Sequence, residues 1–133
     1  MEDNIQEMYK KARAAFKTVE YWPQEKVDEM VLAVGWELQK KETAEELAGL
    51  AVKSGLGVYE DKVHKIGTKV RGTLYDQIGV KTCGLVSEDK AKGIRTYGKP
   101  IGVIANVVPC TNPESTVCCI ALSTLKTRNA IIC

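Results

Sequence analysis

The chain has 133 residues, 44% of them hydrophobic and 27% charged, a length and composition that suit one globular domain and exclude disorder, a collagen-like repeat and a disulfide scaffold. Nineteen basic residues interleave with seventeen acidic ones for a net charge of +2, so the charge pattern gives no footprint for nucleic acid. No apolar run reaches the ~18–20 residues of a membrane span, and the opening MEDNIQEMYKKARAAF is too polar for a signal peptide; a cytoplasmic location with no membrane partner is the expectation.

In chain order, Ile5, Met8, Tyr9, Ala12, Phe16 and Val19 recur at helical spacing and predict an amphipathic helix over residues 4–19. YWPQEK breaks it, and Pro23 suits the first turn of the next helix. That helix carries Val27, Met30, Val31, Val34 and Leu38 on one face and ends in Lys40 and Lys41, a basic pair suited to a helix C-terminus. Thr43 and Glu46 form a T-x-x-E capping box for a third helix with Leu47, Leu50 and Ala51, stopped by SGLG at residues 54–57. A fourth begins near Tyr59 and presents Val63, Ile66, Val70, Leu74 and Ile78. Asp61, Lys62 and His64 at its start read as a solvated face, because no base or nucleophile is paired with them in the sequence. Taken alone, these eighty residues also fit an all-α bundle.

Beyond them, KTCGLVSEDKAKG is polar and turn-rich, with Gly84 and Gly93. Ile94 and Thr96 then alternate as in a half-exposed strand, and IGVIANVV (101–108) is nearly continuous apolar, as in a strand buried on both faces. Pro109 must end that strand, since a central strand cannot lose its N–H donor. Asn112 is a good N-cap, Pro113 a good first helical residue, and Glu114 places a negative charge in the first turn. The helix runs through Val117, Ile120, Ala121 and Leu125 to Lys126, and RNAII starts a new extended segment. Strand, helix and strand joined by short links predict a right-handed parallel crossover, the start of a doubly wound sheet whose ligands sit beyond the carboxyl ends of its strands. VPCTNP lies at that end. An amide there can cap the helix, the plainer role for an Asn–Pro pair, or can stabilise an oxyanion on a bound carbonyl. No GxGxxG or phosphate loop marks a nucleotide site.

The five cysteines (Cys83, Cys110, Cys118, Cys119 and Cys133) include no CxxC pair, and one histidine accompanies them. Reduced, mostly buried thiols are expected, and no metal site.

KPIGVIANVVPCTNPESTVCCIALSTLKTRNAII resembles the first strand–helix–strand of the aldehyde dehydrogenase superfamily, in the branch that acylates coenzyme A, including the aldehyde domain of bifunctional aldehyde/alcohol dehydrogenases. The ordinary branch has P-W-N-F-P at the turn, whereas the acylating branch has P-x-T-N-P, here residues 109–113. SGLGVYEDKVHK and KTCGLVSEDKAKGI resemble the same branch. The resemblance implies an α/β fold in which N-terminal helices precede the first strand–helix–strand of an incomplete, doubly wound nucleotide-binding domain. It divides the chain into a helical part (1–80), a polar connector with an oligomerisation-arm strand (81–100) and a βαβ start (101–133).

The same resemblance implies oxidation of a small aldehyde through a cysteine thioester, with NAD or NADP taking the hydride and coenzyme A taking the acyl group. Asn112 matches the amide that holds the oxyanion, which reverses the weighting its residue type alone suggests. Val108, Pro109, Cys110 and Thr111 match the cofactor-side loop. The family's nucleophile lies downstream of residue 133, and none of the five cysteines has a visible activating neighbour. The 133 residues alone are therefore expected to be inactive, to associate as a homo-oligomer or with the remainder of an enzyme, and to expose open strand edges that favour dimers or aggregation. The alternative is a non-catalytic assembly or decoy subunit that pairs with a full-length homologue. A small helical binding domain with a βα tail is a third reading, but it leaves PCTNP and KTRNAII unexplained.

Overall fold

The helical periodicity of the first eighty residues is realised as four helices in a computed structural model that describes residues 2–54 and 56–133. These are α1 (Glu2–Val19), α2 (Gln24–Gln39), α3 (Lys41–Val52) and α4 (Tyr59–Gln77). Pro23 stands at the N-cap of α2, where its carbonyl accepts the N–H of Val27 at 3.2 Å. The expected capping box does not form. Lys40 is already the N-cap of α3, so Thr43 lies inside the helix. The buried face of α3 is its alanines, Ala44, Ala48 and Ala51, and Leu50 faces outward, because alanine lets the helix approach its neighbours closely. Of the expected stop at residues 54–57, Gly55 lies outside the described residues; Gly57 takes φ +88°, a left-handed conformation that suits glycine.

After α4 the chain enters β1 (Gly84–Asp89) and β2 (Ile94–Gly98), an antiparallel hairpin with a bulge between Leu85 and Ser87. The expected turn-rich connector is thus largely a strand. Its tip is an Asx turn, in which the Asp89 carboxylate accepts the N–H groups of Ala91 and Lys92 at 3.1 Å each. At Gly98 an added Cβ would lie 2.1 Å from the carbonyl oxygen of Thr82, so only glycine lets the two backbones cross there.

Next come β3 (Val103–Ala105), α5 (Pro113–Lys126) and β4 (Ala130–Ile132), with β3 and β4 parallel in the register Val103↔Ala130, Ile104↔Ile131 and Ala105↔Ile132. This is the expected strand–helix–strand, with a shorter first strand than the apolar run 101–108 suggests. The ladder reaches only as far as β4 runs beside it; Ile101 and Val107 are 82% and 94% exposed.

Helix α5 joins the two halves. Its Cys118 and Leu122 complete a core with Val27 and Val31 of α2, Ala44 and Ala48 of α3, and Ile66 and Val70 of α4. Helix α5 therefore packs chiefly on helices, and more lightly on β4. Helix α1 packs instead on β3 and β4 through Ala12 and Phe16. The expected apolar face of α1 is only half covered, with Ile5 and Tyr9 exposed. The RNAII turn holds these parts together. The Asn129 side chain accepts the N–H groups of Ile101 and Gly102 at 2.7 and 2.8 Å, and the buried Arg128 donates to the carbonyls of Glu20, Trp22 and Gly98. Among the described residues no helix is long and apolar enough to cross a membrane.

Candidate active site

Beyond Ala105 the chain passes over the carboxyl end of β3 and enters α5 at Pro113, which occupies its first turn. Along this loop Val108 is half-buried, and Pro109, Cys110 and Thr111 are exposed. Asn112 sits at the N-cap with φ −142° and ψ 53°, and its backbone carbonyl accepts the N–H of Thr116 at 3.1 Å. The Asn112 side chain, however, makes no capping hydrogen bond. Its Oδ1 instead accepts from Nζ of Lys65 on α4, and its Nδ2 lies 3.3 Å from Oγ1 of Thr111. The capping role expected from residue type alone is not the one the side chain plays. With Oδ1 held by an ammonium, the amide is fixed in one sense; one of its N–H groups donates to Thr111 Oγ1 and the other is left to serve as a donor.

A second lysine supports the loop from beneath. The sequence places Lys62 on a solvated face with Asp61 and His64, and those two are exposed. Lys62 itself is 3% exposed. Its Nζ donates to the Thr111 carbonyl at 2.6 Å and lies 3.3 Å from both carboxylate oxygens of Glu114, with hydrogen-bond geometry to Oε2. The correction has a plain cause: the partners of Lys62 lie about fifty positions downstream and are invisible to local pattern. Glu114, expected to act through the helix dipole, does stand in the first turn of α5 but is buried against this lysine. A buried ion pair is better tolerated when its remaining hydrogen bonds are made; the Thr111 carbonyl supplies one for Lys62, whereas Oε1 of Glu114 has the lysine's charge but no hydrogen bond among the described residues.

Helices α4 and α5 bound a groove of about 350 Å³ beside the loop, walled by Lys65 and Lys69 on one side and by Asn112, Ser115, Thr116, Cys119 and Ile120 on the other. No acid lines it, and among the described residues neither Lys65 nor Lys69 belongs to an ion pair.

The cysteines are all free, but only Cys118 is buried; Cys110 and Cys133 are exposed, and Cys83 and Cys119 intermediate. The expectation of mostly buried thiols fails because two of them lie in the loop and at position 133, outside the helical core. Burial, aided by the neighbouring Cys119 thiol, pushes Cys118 up to about 11, which keeps it an inert packing group at neutral pH. Among the described residues no group of three or more His, Cys, Asp or Glu side chains could hold a metal.

The structure therefore gathers Thr111 and Asn112 with Lys62, Lys65 and Glu114, and leaves Pro109 and Cys110 on the open side of the loop. Sequence reasoning missed both lysines. The signal available was their i, i+3 spacing, which puts them on adjacent parts of one helix face.

No protein-family model matches the chain. It is 41% identical over 124 residues to a sulfoacetaldehyde dehydrogenase of Acholeplasma sp, covering 92% of this chain and 26% of that protein. It is 40% identical over 129 residues to an acylating sulfoacetaldehyde dehydrogenase of Bilophila wadsworthia, covering 96% of this chain and 28% of that one. Among solved structures, the acetylating aldehyde dehydrogenase of Geobacillus thermoglucosidasius superposes with a TM-score of 0.90 at 32% identity, over 97% of this chain and 28% of that protein. The chain thus spans little more than a quarter of the length of these relatives. Over that stretch its sequence and its fold are similar to those of acylating aldehyde dehydrogenases.

Proposed function

We propose that the chain forms the oxyanion-holding part of an enzyme that oxidises a small aldehyde to its acyl-CoA, with Asn112 donating to the carbonyl oxygen. The observation that carries this reading is the Asn112 amide. It stands at the carboxyl end of a parallel strand and at the start of a helix, and Lys65, not the helix backbone, occupies its oxygen. A donor fixed before the reaction begins stabilises charge as it develops on the carbonyl, without reorganisation.

In the overall reaction, aldehyde, CoA thiol and oxidised nicotinamide give acyl-CoA, reduced nicotinamide and a proton. A nicotinamide cofactor, NAD or NADP, supplies the hydride acceptor when bound. The exposed loop at Val107 and Pro109, half-backed by Val108, suits a flat ring, and Cys110 and Thr111 complete that side. This chain's own residues hold and orient: Lys62 fixes the Thr111 carbonyl, Lys65 fixes the Asn112 oxygen, and Asn112 is the catalytic residue. We assign residues 81–100 to a polar connector and an oligomerisation-arm strand, and the five free cysteines suit a reducing compartment such as the cytoplasm.

The 133 residues by themselves should not turn over aldehyde, because Cys118 is held neutral by burial and, among the described residues, the exposed Cys110 thiol is in no hydrogen bond with an activating group. The test joins this chain to the remainder of an acylating relative and follows CoA-dependent NADH formation. Asn112→Ala should lower kcat by about 10²–10³-fold, the usual cost of one oxyanion donor. Undiminished kcat in that variant would remove Asn112 from the reaction.

A non-catalytic assembly subunit is a second reading, favoured by the exposed Ile101 and Val107 flanking the β3–β4 pair. Light scattering with and without a full-length homologue separates the two, and failure to co-elute counts against it.

A further inference from the structure

We infer that the groove between α4 and α5 receives the anionic tail of the aldehyde, a sulfonate or carboxylate, with Lys65 and Lys69 as its cationic wall. This inference rests on the reading that Asn112 holds the carbonyl. Asn112 is itself a wall of the groove, so a substrate whose carbonyl meets its amide has the rest of its short chain directed toward the space beside it. Two lysines one helical turn apart, together with the hydroxyls of Ser115 and Thr116, offer cationic and neutral donors to an oxo group.

The charge balance of the site supports the assignment. The carboxylate beside the loop, Glu114, is buried and already neutralised by Lys62, and Asp61, one turn before Lys65, is exposed and not in an ion pair with it. No acid lines the groove, and neither Lys65 nor Lys69 is in an ion pair among the described residues. A sulfonate or carboxylate supplies these two lysines with a counter-charge, which an uncharged aldehyde does not. Lys65 touches both ends of the substrate, the carbonyl through Asn112 and the tail directly, while Lys69 acts on the tail alone. The same wall could instead meet a phosphate of the cofactor or of coenzyme A, and the experiment separates these sources.

In the joined enzyme, kcat/KM is measured for sulfoacetaldehyde and for the uncharged propionaldehyde, and the ratio is the readout. The native ratio should favour the sulfonate by roughly tenfold or more; Lys69→Met should lower it about fivefold, and Lys65→Met with Lys69→Met by more than tenfold, mainly through KM for the sulfonate. Lys69→Arg should restore the ratio. A ratio unmoved by these changes overturns the inference, as does an effect that falls on KM for CoA or for the nicotinamide cofactor.

A binding readout on the 133-residue chain runs in parallel, with 2-hydroxyethanesulfonate, inorganic phosphate and ethanol titrated against backbone amide spectra. Saturable shifts at Lys65, Lys69 and Thr116 with the sulfonate, lost in the double variant and absent with ethanol, support the groove; saturation by phosphate with none by the sulfonate counts against it. If the joined enzyme is inactive but the sulfonate still saturates the groove, the catalytic reading has failed and the anion site stands. If the enzyme is active with an unmoved ratio, the reverse holds.

Discussion

Lys62 and Lys65 sit three positions apart on one helix, and both reach the loop that opens α5, yet their surroundings differ sharply. Lys62 is buried, bound to a backbone carbonyl and to a buried carboxylate; Lys65 is half-buried, bound to a neutral side-chain amide, and borders an open groove with no acid. The first arrangement fixes where the loop runs. The second fixes which way one amide points and leaves a positive charge facing space. Residue type did not decide these roles; what each helix position met across the interface did.

The contrast breaks most visibly at Lys62. Lys62→Met should destabilise the chain by about 3–5 kcal/mol, because it strands the Glu114 carboxylate in a dry site, and urea unfolding followed by circular dichroism measures the loss. Pairing it with Glu114→Leu should recover much of that loss; failure to recover would mean that the bond to Thr111, and not the charge pair, carries the energy. Next in size is a pH effect one helical turn along, at Cys118. A thiol held up to about 11 favours its neutral form in the folded state more than in the unfolded chain. Its contribution is full at pH values below the unfolded thiol's pKa and is lost as pH rises toward 11. Stability should therefore fall by about 2 kcal/mol over that range relative to a Cys118→Ala variant measured in parallel. The smallest effect belongs to Lys65: Lys65→Met should cost under about 1 kcal/mol while shifting the side-chain amide resonances of Asn112. Unchanged resonances would show that Lys65 does not hold the amide in solution.

Much of this architecture is legible in the sequence where the causes are local. Helical spacing locates α1, α2, α4 and α5, and the NP pair after an apolar run locates the entry to α5 and the loop carrying Asn112. The reading fails where the cause is remote. GLVSED carries two acids and no continuous apolar face, yet it forms β1 because IRTYG lies beside it. The apolar run at 101–108 looks like one long strand, but its paired length is set by the three residues of β4. Lys62 looks solvated until α5 brings Glu114 over it. At the site, the position of Asn112 can be read from its neighbours in sequence, whereas the orientation of its amide depends on Lys65, forty-seven positions upstream.

Helix α1 finds its packing on β3 and β4, and the Arg128 guanidinium pins the carbonyls of Glu20 and Trp22 across separations of 108 and 106 positions. During synthesis on the ribosome, then, α1 has no β3–β4 pair to dock on until β4 has emerged. Helices α2 to α4 can begin to collapse on one another much sooner. Closing a loop of that length is slow, which makes the docking of α1 a late step in folding and leaves its exposed Ile5 and Tyr9 in search of company in the meantime.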